Sequence, residues 1–225
     1  MRTTLTLDDD VIELLKRAGR EHGLSFKQVV NDALAASTLA TPFPKASSNR
    51  TLASLATQLE TVAKMISQRD RLQMTRQVFF VSIGGFDTHD NQLTDQPNLY
   101  AGISGALKAF YDATVELGVA DRVTTFTQSD FGRTLTSNGD GSDHAWGGVQ
   151  LVMGDAVRGR TFYGAYPTLQ IDGPDDVGGG RMIPTVSADQ YAATLAKWFG
   201  VNDTNLALVA PSLANFTTRD LGFLV

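Results

Sequence analysis

VFFVSIGGFDTHDNQ, residues 78–92, is an apolar run broken by two glycines and followed at once by an aspartate and a histidine two positions apart. Val78 to Ile83 reads as a continuous apolar strand, of the kind buried on both faces of a mostly parallel sheet. In open α/β sheets ligands collect beyond the carboxyl ends of strands, where loops present side chains without a covering helix. Gly84 and Gly85 therefore set Asp87, His89, Asp90 and Asn91 at a position suited to a site. A D-x-H pair is weak by itself, so the surrounding chain has to be consulted.

Upstream, Leu52, Leu55, Ala56, Leu59, Val62, Ala63 and Ile66 recur at helical spacing. Downstream, Leu99 to Leu117 reads as a helix stopped by Gly118, Val123 to Thr127 as a strand, and Ser187 to Phe199 as a well-capped helix. Alternating helices and strands predict an α/β layer with a mostly parallel sheet, joined by Gly-rich connections at 137–148 and 172–181. Two more polar clusters fall in the loops: Ser129, Asp130 and Arg133, then Asp140, Asp143 and His144. With no cysteine and three histidines in 225 residues, imidazoles and carboxylates are the strong metal ligands on offer. Two of each suit zinc, manganese or iron, and such an ion polarises a phosphoryl or sulfuryl oxygen or sharpens a water nucleophile. The structural alternative stays open: Asp87 and Asp143 cap loops while the histidines donate to backbone carbonyls. Arg133 is suited equally to clamping an anionic substrate and to a loop salt bridge. Trp146 and Trp198 read as core aromatics, and the glycines of GDGSDH as turn residues, there being no phosphate-loop pattern.

Composition excludes several classes. No apolar run approaches the roughly 20 residues a bilayer span needs, and no basic-then-apolar leader opens the chain, so a cytoplasmic protein without membrane contact is expected. A net charge of -5 gives no global pull toward nucleic acid, leaving only a local basic surface for that role.

The first residues follow a different pattern. In Arg2 to Leu7, Leu5 and Leu7 alternate with Arg2, Thr4 and Thr6, the period of a half-buried strand. Asp8, Asp9 and Asp10 favour a helix start, Val11, Leu14, Leu15 and Ala18 give it an apolar stripe running to His22, and Gly23 stops it. Ser25 and Gln28 have capping-box spacing for a second helix, with Phe26, Val29, Val30, Ala33 and Leu34 facing inward. One strand on two short helices leaves both strand edges unpaired and too little core, which calls for a second copy. MRTTLTLDDDV, GLSFKQVVNDAL and their spacing resemble the ribbon-helix-helix family, VapB-like antitoxins especially. The resemblance implies a homodimer through residues 1–37 whose paired strands enter the major groove of an operator. Arg2, Thr4 and Thr6 would read bases, and the amino end of the second helix, Ser25 to Lys27, would meet phosphate. It also implies a cognate toxin. A dimerisation ribbon that never meets DNA remains the alternative, because the segment's basic residues are matched by acidic ones. Residues 38–50, with two prolines and no periodicity, read as a linker to a second domain, 51–225.

That second domain is similar to the carboxyl half of the domain-of-unknown-function 1501 family, in the alkaline phosphatase and sulfatase-like superfamily. The likeness rests on GGFDTHDNQ, TQSDFGRTLTSNGDGSDHAWGG, MGDAVRGRTFYG, IPTVSADQYAATLAKWFGV and RDLGFL, in that order. It implies a partial alkaline-phosphatase-like α/β sandwich with metal ligands at Asp87, His89, Asp130 and His144, Asp143 being a weaker candidate. Phe131 stands where relatives outside that family carry a histidine ligand. The superfamily's first strand and Ser or Thr nucleophile have no counterpart here, so no catalytic residue is assigned. The expected function is thus an antitoxin-like, DNA-binding dimer carrying an inactive hydrolase-like body. The alternatives are a metal-dependent hydrolase of phosphate or sulfate esters and a chimeric fusion without evolved activity.

Overall fold

The computed structural model describes residues 16, 20, 23–45, 50–72 and 74–225. The chain divides into two compact units, residues 1–87 with 96–119 and residues 88–95 with 120–225. Its helices and short sheets make a mixed α/β chain. No helix among the described residues is long and apolar enough to cross a membrane.

In the first unit Lys16 and Arg20 are helical, and Gly23, at φ 65°, donates its N–H to the Arg20 carbonyl at 3.4 Å, which is the stop expected from the sequence. Ser25 then caps helix α1 (Phe26–Ala35), its hydroxyl accepting the Gln28 N–H at 3.2 Å. Gln28 turns its side-chain amide forward to Asp32 at 3.0 Å, so the predicted capping box forms in its serine half. Ala33 of α1 is buried with Met65, Leu72 and Met74, and Val29, Val30 and Leu34 pack on that cluster. The expected strand Arg2–Leu7 and the helix start at Asp8–Asp10 lie outside the described residues, and with them Arg2, Thr4 and Thr6.

Helix α2 (Arg50–Ser67) buries Leu55, Ala56, Leu59, Val62, Ala63 and Ile66, the stripe that the spacing predicts. Helix α3 (Gln92–Glu116) starts seven residues before the predicted Leu99 and carries Pro97 inside it. An interior proline costs about 3 kcal/mol. The buried face from Leu99 through Ala106, Ala109, Phe110 and Ala113 outweighs that cost. Gly118, at φ 63°, ends the helix as expected, with the Val119 N–H reaching back to the Thr114 carbonyl at 3.0 Å. Near that end the Glu116 carboxylate accepts the N–H groups of Ala40 and Thr41 at 2.7 and 2.8 Å, and the Thr41 hydroxyl as well. The Ala40 N–H leads these donors in holding the carboxyl below its usual range, against the small opposing effect of burial.

Val78 to Ile83 departs from its reading. It joins no ladder among the described residues, and Val78 and Phe80 are 55% and 74% exposed rather than buried on both faces. A glutamine takes the place of a neighbouring strand: Gln58 accepts the Ser82 N–H at 3.1 Å and donates to the Ser82 carbonyl at 2.9 Å.

The second unit also corrects the expected sheet. Among the described residues every ladder is antiparallel: β1 (Thr125–Phe126) pairs with β4 (Val152–Met153), and β2 (Gly132–Ser137) with β3 (Ser142–Ala145). Parallel neighbours need a crossover of a dozen or more residues, usually helical. Between β1 and β4 the chain forms the β2–β3 hairpin instead, so it returns beside β1 running the other way. The connection expected at 137–148 thus contains strand β3 and the end of β2, with the hairpin turn at 138–141. Helix α4 (Ala188–Phe199) has the full Ser187–Gln190 capping box and Gly200 at φ 105° closing it. A short helix α5 (Leu206–Val209) and a 3-10 turn (Pro211–Asn215) complete a core of Ala193, Leu206, Ala210 and Leu213.

Candidate metal centre

The β2–β3 register sets the site. Gly132 pairs with Ala145 and Arg133 with His144, and a Cβ on Gly132 would meet the Gly147 carbonyl oxygen at 1.7 Å, so only glycine permits this approach. The hairpin turn is then stitched to residues 88–92. Asn138 accepts the Gly141 N–H at 2.8 Å and donates its amide to the His89 carbonyl at 2.9 Å. The Gln92 N–H reaches the Asp140 carbonyl at 3.1 Å, and the Ser142 hydroxyl reaches Gln92 Oε1 at 2.8 Å. A Cβ on Gly141 would lie 2.3–2.4 Å from backbone atoms of Thr88 and His89. The turn therefore presses directly on the segment that carries the first histidine.

This stitching brings His89 beside His144, with ring centroids 5.1 Å apart and a 31° tilt. Asp87, His89 and His144 each offer one ligand atom and form a possible three-residue metal group. Asp87 ends the first unit, two residues before His89 in the second. The donor set of two imidazoles and a carboxylate, without thiolate, fits zinc, manganese or iron. Asp130 is exposed and lies outside that group, although the likeness implied a ligand there. Arg133 Nη1 donates to the Ser142 carbonyl at 2.6 Å, which ties the hairpin together.

Asp143 has a clearer place than the sequence suggested. Its Oδ1 lies 3.3 Å from His89 Nδ1. A carboxylate on Nδ1 fixes the imidazole tautomer and leaves Nε2 as the basic nitrogen. Asp143→Asn is expected to weaken zinc binding about 10- to 100-fold, the usual cost of losing such a partner. Zinc titration calorimetry checks this, and an unchanged affinity would show that Asp143 has no bearing on His89. The sequence offered Asp143 only as a weaker ligand candidate or a loop cap, because its pairing with His89 is set by hairpin register. Of the residues expected at DNA, Ser25 is the α1 cap and Lys27 is exposed in the first turn of that helix.

A mixed α/β chain with a two-histidine, one-carboxylate group is the class of molecule these features define. The chain belongs to the family described as Protein of unknown function (DUF1501), which matches residues 10–208 and so runs across the expected linker. It is also similar to the protein named "Putative antitoxin VapB37" of Mycobacterium tuberculosis (strain CDC 1551 / Oshkosh), 47% identical over 51 residues, 23% of this chain and 61% of that protein. Antitoxin VapB33 of Mycobacterium tuberculosis (strain ATCC 25618 / H37Rv) is 59% identical over 34 residues, 15% of this chain and 40% of its own length. The chain thus spans about six tenths or less of these curated relatives. No solved structure matches it.

Proposed function

We propose that the protein is an antitoxin-type regulator. Residues 1–37 pair with a second copy as a ribbon-helix-helix module, Arg2, Thr4 and Thr6 read operator DNA, Ser25 and Lys27 meet its phosphates, and a cognate toxin is the protein partner. Residues 38–50 lead from this module to the hydrolase-like body, 51–225. The observation that carries the proposal is the 47% identity with antitoxin VapB37 over 51 residues. A local feature supports it. Ser25 opens α1 with an exposed lysine in its first turn, and helix amino ends favour phosphate.

The test uses the full chain, by light scattering and by fluorescence anisotropy with a short mixed-sequence DNA duplex. A dimer is expected, with affinity that falls steeply with salt, the logarithmic slope being about -0.9 per phosphate contacted. Lys27→Ala should shallow that slope by about 1. A monomer, or no binding at low salt, overturns the proposal.

A second reading concerns the body, and the Asp87, His89 and His144 group favours it. These residues would hold a divalent ion, and Arg133 would draw a phosphate or sulfate ester toward it; the exposed Asp130 carboxylate, which the family likeness implies as a further ligand, stands outside this set. A bound ion there would supply Lewis-acid polarisation and a more acidic water. His89 and His144 orient the ion, and Asp143 orients His89.

A further inference from the structure

The geometry points to Phe131 as a positioning residue that fixes the plane of the His144 imidazole for metal binding; this rests on the metal-binding reading above. The two rings lie face to face, with centroids 4.0 Å apart and planes 7° apart. Such parallel contact is much closer than the tilted approach of His89 to His144, so the phenyl ring is the nearer constraint on that imidazole. Phe131 also meets a cation. The Arg133 guanidinium carbon sits 4.9 Å from its centroid, and the same guanidinium is anchored to the Ser142 carbonyl at 2.6 Å. Arg133 and His144, paired across the β2–β3 hairpin, thus both contact the Phe131 ring, and the close approach at Gly132 keeps that hairpin in register.

The need for such a stack follows from exposure. His144 is exposed while Phe131 is half-buried, and an exposed imidazole rotates freely about two bonds unless something confines it. Ordering a free side chain on binding lowers affinity, whereas a ring already held in plane has met that cost during folding. The phenyl supplies no ligand atom, so its effect reaches the ion only through the imidazole's orientation.

Zinc binding to the full chain is measured by calorimetry for wild type, Phe131→Ala and Phe131→Tyr, alongside histidine-ring NMR spectra of the zinc-free proteins. Phe131→Ala is expected to bind zinc about tenfold more weakly, and Phe131→Tyr, which keeps the ring, within about twofold of wild type. In the zinc-free wild type the His144 ring protons should lie upfield under the phenyl ring current, and should move to ordinary positions in Phe131→Leu. That spectrum is a readout which a merely stabilising role would not move, and it covers the case in which the alanine variant folds poorly. Wild-type zinc binding with Phe131→Ala equally tight overturns the inference and leaves the metal reading standing. Unshifted His144 protons also overturn it. Wild-type protein that takes up no zinc overturns both, and the spectrum then reports separately whether the stack exists.

Discussion

The 225-residue chain loaded with zinc and freed of excess should retain one ion per chain, and His144→Ala should lose it. Loss of an outer-shell partner costs about 10- to 100-fold in affinity, so removing an imidazole that supplies a ligand atom should exceed 100-fold or so. The same is expected for His89→Ala, because the group holds two imidazoles and one carboxylate and no spare nitrogen. Asp130→Asn is the informative companion. It changes a residue that the family likeness places at the metal but that lies exposed and outside the group, so near-native affinity is expected from the geometry. Loss of zinc in Asp130→Asn, together with retention in His144→Ala, would replace this ligand set. Metal content by mass spectrometry and affinity by calorimetry report the result, with circular dichroism to confirm that each variant is folded.

Local signals were legible in the sequence and long-range ones were not. Ser25 and Ser187 each mark a helix start because a hydroxyl before the first turn has one favourable use, and Gly23, Gly118 and Gly200 mark stops because each takes a positive φ. The apolar stripe of α2 appears at the predicted positions for the same reason, since helical periodicity is a property of the segment alone. Strand pairing is a property of two segments. Val78 to Ile83 has the composition of a central strand, yet nothing in it foretells that Gln58, twenty-four residues upstream, takes the hydrogen bonds of Ser82.

The candidate site divides along the same line. Asp87 and His89 stand out by spacing, and His144 by being one of three histidines. The parts played by Asp143 and Phe131 depend on hairpin register and on the stitching of residues 88–92 to the turn, neither of which leaves a short-range signature. Phe131 stands where relatives outside the family carry a histidine ligand, and its ring stacks on His144 instead.

The second large effect is expected in Phe223→Ala. Phe223 is 3% exposed and packs against Tyr163 at 5.7 Å and Tyr191 at 5.8 Å between ring centroids. Tyr191 in turn meets Phe126 of β1 edge-on at 6.0 Å and donates its hydroxyl to the Thr127 carbonyl at 3.2 Å. Burial raises the pKa of that phenol, which keeps it a protonated donor. The ring cluster thereby ties α4, β1 and residues 219–225 together. The backbone around Phe223 is fixed as well: its carbonyl accepts the Arg158 N–H at 2.9 Å, Val157 pairs with Leu224, and Gly222 turns at φ 73° with its N–H on Asp220 at 2.9 Å. Because these bonds hold the segment in place, the neighbours have little freedom to collapse into the space that a deleted ring leaves. Phe223→Ala should therefore cost about 3–5 kcal/mol, a large share of the roughly 5–15 kcal/mol that holds a domain folded. Tyr191→Phe keeps the ring and removes one hydrogen bond, for which about 1 kcal/mol is expected. Urea denaturation of the two variants separates packing from hydrogen bonding. Equal losses would mean that the Thr127 bond, rather than the ring cluster, holds residues 219–225 to the second unit.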